Sequence, residues 1–171
     1  MACPLAVLFD RDDTLIDDVP YNGDPSLVVA RPGAREALDA LRVRGIATAV
    51  VTNQSGVGRG RITMAQVHAV HARVEELLGP LGPWLVCPHA PDEGCSCRKP
   101  SPTLVLQAAE VLGVAVEACV VVGDKRSDLD AARAAGARAV MVRRTASAES
   151  WGYPAVDSLL EAVNLMLDPS F

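Results

Sequence analysis

Five short apolar runs punctuate this chain at roughly even intervals: Leu5-Ala6-Val7-Leu8-Phe9, Ile46 to Val51, Trp84-Leu85-Val86-Cys87, Cys119-Val120-Val121-Val122, and Ala139 to Val142. Each is four to six residues long and lacks the polar alternation of a half-wet strand. Such runs read as strands buried on both faces, the signature of a parallel sheet. They predict strands near 5–10, 46–51, 84–87, 118–122 and 138–142. The stretches between them repeat apolar residues with helical spacing. Pro32-Gly33 opens the first predicted helix, which runs to about Arg44 and stops at Gly45. Thr63-x-x-Gln66 is a capping box. It starts a helix carrying Met64, Val67, Val70, Val74 and Leu77/Leu78 on one face and ending at Gly79-Pro80. Ser101-Pro102 predicts an N-cap with Pro at the first helical position, and that helix stops near Gly113. A fourth helix is expected from about Ser127 to Gly136, and a fifth over 155–167. Strands alternating with helices imply βαβ units. The fold class that follows is α/β, a three-layer Rossmann-like arrangement with a mainly parallel sheet.

Composition sharpens this only a little. The chain's 171 residues suit a single domain, 1–171, with a sizeable core. Half the residues are apolar and the net charge is −5, so there is no basic footprint for nucleic acid. The first apolar run is too short for a signal segment and lacks a basic flank. No stretch approaches the ~20 apolar residues of a membrane span. The expectation is a cytoplasmic monomer acting on a small molecule. Residues 143–154 are the least readable stretch; Arg143, Arg144, Trp151 and Tyr153 there either flank a site or serve ordinary surface and packing roles. His68 and His71, three apart, read as a half-exposed helix face rather than a metal pair. Cys3 and Cys119, in or beside apolar runs, read as buried thiols.

The chemistry begins where the apolar runs end. Asp10-Arg11-Asp12-Asp13-Thr14-Leu15 follows directly on the first run. In extended chain, residues two apart point to the same side, so Asp10 and Asp12 can share one site. Their repulsion is relieved by a divalent cation or by a proton-transfer role; an acidic turn is the plainer alternative. Thr52-Asn53-Gln54-Ser55-Gly56 follows the second run, and Gly123-Asp124-Lys125-Arg126-Ser127-Asp128 follows the fourth. Strand ends are where open α/β sheets place ligands. Cys87-Pro88-His89, five residues, then Cys95-Ser96-Cys97-Arg98-Lys99-Pro100 supplies three thiols and an imidazole. Cys87, His89, Cys95 and Cys97 make a closed tetrahedral set for Zn²⁺, structural because no coordination position stays open. That loop ends at Arg98 and Lys99, so metal binding and anion binding should be coupled.

Together these four segments, in the chain order of an aspartate pair, a threonine, Lys99 and then a second acidic pair over about residues 5 to 145, resemble the haloacid dehalogenase superfamily of phosphatases. The resemblance implies that Asp10 is a nucleophile forming an aspartyl-phosphate, and Asp12 the general acid/base. It implies Mg²⁺ held by Asp10, the backbone carbonyl of Asp12, and Asp124, with Asp128 the nearer match for a second acid. Thr52 would bond a phosphoryl oxygen, Asn53 would add an amide, and Lys99 would neutralise charge on the phosphoryl oxygens. The gaps between motifs are too short for a large inserted cap, which implies a capless member. Asp13 stands where the family has Gly; it puts a third carboxylate beside the pair and asks for a turn that Gly makes more readily.

Asp-Arg-Asp, Thr-Asn-Gln-Ser-Gly, Cys-x-His…Cys-x-Cys-Arg-Lys-Pro and Gly-Asp-Lys resemble one branch, that of the heptose 1,7-bisphosphate and histidinol-phosphate phosphatases. Ser55 to Gly60 and Gly123-Asp124-Lys125 lean to the heptose side, and the five-residue spacer before Cys95 to the histidinol side. The resemblance implies substrate contacts from Gln54, Ser55, Arg98, Lys125 and the Asp18–Tyr21 segment. Arg59 and Arg61 either meet a distal phosphate or belong to a solvated basic loop. A sugar-phosphate phosphatase is the first reading, ahead of histidinol phosphate. A phosphate-binding module without turnover is the alternative of a different class.

Overall fold

The structure is a computed structural model, and it describes residues 3–143, 145, 149–168 and 170–171. Six parallel strands form one sheet: β1 (Ala6–Phe9), β2 (Ala47–Asn53), β3 (Trp84–Cys87), β4 (Cys119–Gly123), β5 (Arg138–Val142) and β6 (Ala155–Val156). Their order across the sheet is β3-β2-β1-β4-β5-β6, and every pairing is parallel. The helices are α1 (Ala34–Val43), α2 (Met64–Leu78), α3 (Thr103–Leu112), α4 (Arg126–Ala135) and α5 (Leu159–Leu167).

The apolar runs explain the layering. Alternate strand residues face opposite ways, so a run without polar members must be covered twice. Val7, Phe9, Val50, Val120, Val122 and Val140 pack with buried residues of α1, α2 and α5. Ala6, Leu8, Ala49, Val51, Val121 and Met141 pack with those of α3 and α4 on the other face. Burying side chains of this size stabilises by about 1.5–3 kcal/mol each for Val, Leu and Phe. No cap domain is inserted among the described residues; the β1–α1 connection holds only one 3₁₀ turn, Pro25–Leu27.

The strand predictions match to within two residues. The β2 strand continues through Thr52 and Asn53, so both are strand residues rather than loop. The capping box is present: Gln66 N donates to Thr63 Oγ1 at 3.2 Å, and Thr63 N to Gln66 Oε1 at 2.9 Å. The α3 prediction is off by one residue. Pro102 takes the capping position with no side-chain cap. Ser101 Oγ still accepts from Thr103 N at 3.4 Å, and the Ser101 and Thr103 hydroxyls donate to the Ser96 carbonyl, pinning the cysteine loop. The fifth helix begins at Leu159, not 155. Ser158 caps it by accepting from Glu161 N at 3.2 Å, and Ala155–Val156 joins the sheet edge beside β5. His71 also departs from expectation. It is 5% exposed and stacks on Trp84 with ring centroids 3.8 Å apart, because α2 turns that position onto β3. Cys3 is exposed, not buried, while Cys119 is buried as expected.

Candidate active site and metal centres

In the sheet order the connections from β1 diverge: β2 lies on one side and β4 on the other. Such a switch point leaves a crevice at the carboxyl ends of the strands. The register sets Phe9 beside Val50 and Val122. The next residues out, on three adjacent strands, are the polar motifs.

Asp10 sits at the centre, 6% exposed. Lys99 Nζ donates to Asp10 Oδ1 at 2.7 Å and to the Val51 carbonyl at 2.6 Å, and pairs with Asp128 Oδ1 at 2.7 Å. Burial works against the ammonium charge, but Asp10 and Asp128 outweigh it and hold the Lys99 pKa above its ordinary value. Asp128 Oδ2 accepts from Lys125 N at 3.0 Å. Gly123 makes this approach possible: a Cβ there would lie 2.5 Å from the Asp128 side chain. Asp124 differs from its neighbours. It is 4% exposed, and neither carboxylate oxygen has a partner among the described residues. Burial first, and the charge of Asp10 next, push its pKa up to about 7. Carboxylate oxygens of Asp10, Asp124 and Asp128 lie within 4.8 Å of one another. Buried, unpartnered oxygens beside two other carboxylates are a donor set suited to a hard divalent cation. The Asp12 side chain is outside this group, which leaves only its carbonyl for the expected metal role.

The Asp12 carboxylate faces the other way, onto Arg11 and Gln54. Arg11 Nε donates to Asp12 Oδ1 at 2.9 Å, and Nη2 to Oδ2 at 3.0 Å. Gln54 Nε2 donates to Asp12 Oδ2 at 3.0 Å and to Thr52 Oγ1 at 2.8 Å. Burial raises the Asp12 pKa, with Arg11 opposing. Arg11 went unnoticed in the sequence although it is 1% exposed and among the largest fully buried side chains. The readable signal was its place between two acids at the exit of a buried strand. Burial lowers the His71 pKa to about 3, and the Arg11 charge adds to this, so His71 is neutral. Asp13 takes the left-handed φ of +58° that the Gly position requires. Its N donates to Ile16 O at 2.8 Å, and its Oδ1 accepts from Asp18 N at 3.3 Å.

A cavity of about 390 Å³ opens over these groups, lined among others by Asp10, Asp12, Tyr21, Gln54, Ser55, Arg98, Lys99 and Lys125. Asn53 also borders it. Both ends of the Asn53 amide are nevertheless engaged by the Lys99 main chain, at 3.2 and 3.1 Å, so it fixes the lysine. Arg59 and Arg61 are exposed and do not line the cavity. Arg61 lies over the Tyr21 ring at 4.6 Å, and Gly56 lies so close to that ring that a Cβ there would come within 2.8 Å of it. Both arginines thus stand on an exposed basic loop, the alternative to a distal-phosphate contact. Trp151 lines a neighbouring cavity with Asp124 and Lys125. Tyr153 donates to Asp130 and Arg143 pairs with Asp157; Arg144 lies outside the described residues.

The cysteine set comes together as the spacing implied. Sγ of Cys95 is 3.7 Å from that of Cys87 and 3.8 Å from that of Cys97. His89 Nδ1 is 3.7 Å from Cys87 Sγ and 3.3 Å from Cys97 Sγ. A tetrahedron with metal–sulfur bonds of ~2.3 Å has sulfur–sulfur edges of about 3.8 Å, so the donors already stand at the corners Zn²⁺ needs.

A sequence profile of the haloacid dehalogenase-like hydrolases matches residues 21–136. The chain belongs to the haloacid dehalogenase-like hydrolase family. Among relatives of this hydrolase is the D-glycero-beta-D-manno-heptose-1,7-bisphosphate 7-phosphatase of Pseudomonas putida. It is 39% identical over 142 residues, 80% of this chain and 81% of the relative. The enzyme of the same name from Pseudomonas aeruginosa is 36% identical over 159 residues, covering 90% and 89%. The crystal structure of D,D-heptose 1,7-bisphosphate phosphatase from Bordetella bronchiseptica, complexed with magnesium and phosphate, superposes with a TM-score of 0.84 at 28% identity. That match covers 95% of this chain and 97% of the other. No helix among the described residues is long and apolar enough to cross a membrane.

Proposed function

We propose that this hydrolase is a Mg²⁺-dependent phosphatase that cleaves a small sugar phosphate, a heptose 1,7-bisphosphate foremost. The observation that carries the reading is the division of labour between two aspartates two residues apart. Asp10 lies against Lys99, in the company of Asp124 and Asp128. Asp12 is set apart from that group and hydrogen-bonded at both oxygens.

Mg²⁺ held by Asp10, Asp124 and the Asp12 carbonyl would offset the negative charge of nucleophile and phosphate. Asp10 attacks phosphorus, the phosphorus–oxygen bond to the sugar breaks, and Asp12 gives its proton to the departing oxygen. Asp12 then takes a proton from the water that hydrolyses the aspartyl-phosphate. Lys99 holds the Asp10 carboxylate in place and adds positive charge where the phosphoryl oxygens gather. Thr52 offers its hydroxyl to the same oxygens, and Arg98 and Lys125 bring charge to the rest of the substrate. The cysteine set holds Zn²⁺ as a structural clamp.

The substrate assignment draws on the relatives' names together with a cavity that is polar, basic on one wall and open to a multiply phosphorylated sugar. A turnover panel of heptose 1,7-bisphosphate, sugar monophosphates and histidinol phosphate tests it. Highest kcat/KM on the heptose bisphosphate is the expected result. Preference for histidinol phosphate would overturn the substrate reading and leave the reaction class intact.

A further inference from the structure

We infer that Arg11 is a positioning residue for the acid/base step: with Gln54 it forms a fork that fixes the Asp12 carboxylate. The inference rests on the phosphatase reading and extends it to a residue without an assigned role there.

Burying a guanidinium is costly unless its donors are satisfied. The Arg11 side chain is 2% exposed, and the hydrogen bonds it makes go to Asp12 and Gln54. Nε and Nη2 hold the two oxygens of Asp12 at 2.9 and 3.0 Å. Nη2 also donates to Gln54 Oε1 at 3.0 Å. Arginine has no acceptor, so this contact fixes which end of the Gln54 amide is oxygen. The amide nitrogen must then face Asp12 and Thr52, as found. Adjacent residues of an extended strand point to opposite sides; the chain bends at Arg11, and the bend lets residue 11 grip residue 12.

The nitrogens in contact, Nε and Nη2, are aimed at Asp12 and Gln54. Nη1 is buried without a partner among the described residues, beside the cavity that Arg11 helps to line. The ammonium that meets the nucleophile belongs to Lys99. What Arg11 and Gln54 restrict is rotation of one carboxylate. Gln54 also ties that carboxylate to Thr52, so the proton donor and the phosphoryl-binding hydroxyl are held in register.

Such a role has a signature that a stability role lacks. Proton donation matters when the leaving group is a basic alkoxide and hardly at all when it is nitrophenolate. Arg11→Lys keeps a charge but loses the two-pronged grip. At saturating Mg²⁺ it should lower kcat/KM, which reports the step that breaks the ester bond, by about 100-fold on a primary alkyl phosphate, the lower end of general-acid contributions. The loss of kcat/KM on p-nitrophenyl phosphate should stay below about threefold, while kcat, which includes the shared hydrolysis of the aspartyl-phosphate, falls for both. Equal losses of kcat/KM on the two esters would overturn the inference. Should Arg11→Lys not fold, Gln54→Met removes the second holder of Asp12 and is judged by the same ratio. A wild-type protein inert to both esters would sink the phosphatase reading itself, a different outcome from equal losses in an active enzyme.

Discussion

Removing the charge of Asp124 should change how the metal-free protein responds to pH, and the size of the change follows from its surroundings. Its carboxyl is pushed from an ordinary 3.8 to about 7, by burial and then by Asp10. Between those values the folded chain binds a proton that the unfolded chain has released. Stability is therefore greatest below pH 3.8 and is lost as pH rises through 7. Each pH unit in that interval corresponds to about 1.4 kcal/mol. From pH 5 to pH 8 the loss assigned to Asp124 is then about 3 kcal/mol. Asp124→Asn keeps the shape and abolishes the titration. His71, held neutral in the fold, contributes the opposite slope below pH 6.5, but it is common to both proteins and cancels in the difference. Urea unfolding of the two proteins, in buffer without Mg²⁺ and without chelator, measures the effect. The stability of Asp124→Asn relative to wild type should rise by about 3 kcal/mol across that range, on the order of 1–3 M in the urea midpoint. Added Mg²⁺ should restore the wild type and leave the variant where it was, because ligand binding stabilises only the form that binds. Parallel pH profiles for the two proteins would refute the assignment of Asp124 as the destabilised, cation-seeking carboxylate.

Three further outcomes are expected. Asp10→Asn should lose at least about 1000-fold in kcat with its circular dichroism spectrum unchanged; activity within tenfold of wild type would remove the covalent mechanism. Freshly purified protein should carry close to one zinc per chain, and Cys95→Ser should lose it together with thermal stability, since metal binding at such a loop is also folding energy; elemental analysis without zinc would refute the clamp. Asp13→Gly should keep or raise kcat at saturating Mg²⁺, because Gly adopts the left-handed turn freely and an anion beside the nucleophile is removed; a large fall in kcat would give Asp13 a positive catalytic role.

What was legible in the sequence was what repeats a local rule. The strand runs needed only uninterrupted apolar residues, and α2 announced itself through Thr63 and Gln66. The acids after β1 and β4, and the cysteine set, could be found because their chemistry is written in residue type and spacing. What escaped depends on partners far along the chain. His71 looks like a surface residue until Trp84 is seen to stack on it. Ser101 and Thr103 also hold the Ser96 carbonyl with their hydroxyls, a partner that a cap pattern does not announce. Strand β6 is two residues long, too short for any period, and exists because β5 offers it an edge. Residue type left Arg61 open between a phosphate contact and a solvated loop, and its place over the Tyr21 ring depends on a partner 40 residues away. Arg11 is the sharpest case. A lone arginine beside acids reads as a surface ion pair, and only tertiary burial turns it into a fork.

The placement of the cysteine loop shows what the proposed zinc would do in so small a protein. The segment between β3 and α3 has few apolar side chains to bury, yet it must deliver Lys99 into a site 4% exposed. Two sets of bonds tie it down. Asn53 grips the Lys99 main chain from β2. Gln54 N and Gly58 N donate to the Cys87 and Pro88 carbonyls at 2.7 and 2.8 Å. The second contact is so close that a Cβ on Gly58 would lie 2.5 Å from Ala90 N, which leaves glycine as the residue that fits. The loop bearing Gln54 and Ser55 is thus laid directly on the cysteine loop. Drawing Cys87, His89, Cys95 and Cys97 to one centre fixes both ends of the segment at once, from the last residue of β3 to the position two before Lys99. A metal there would stiffen the lysine and the loop bearing Gln54 and Ser55 together.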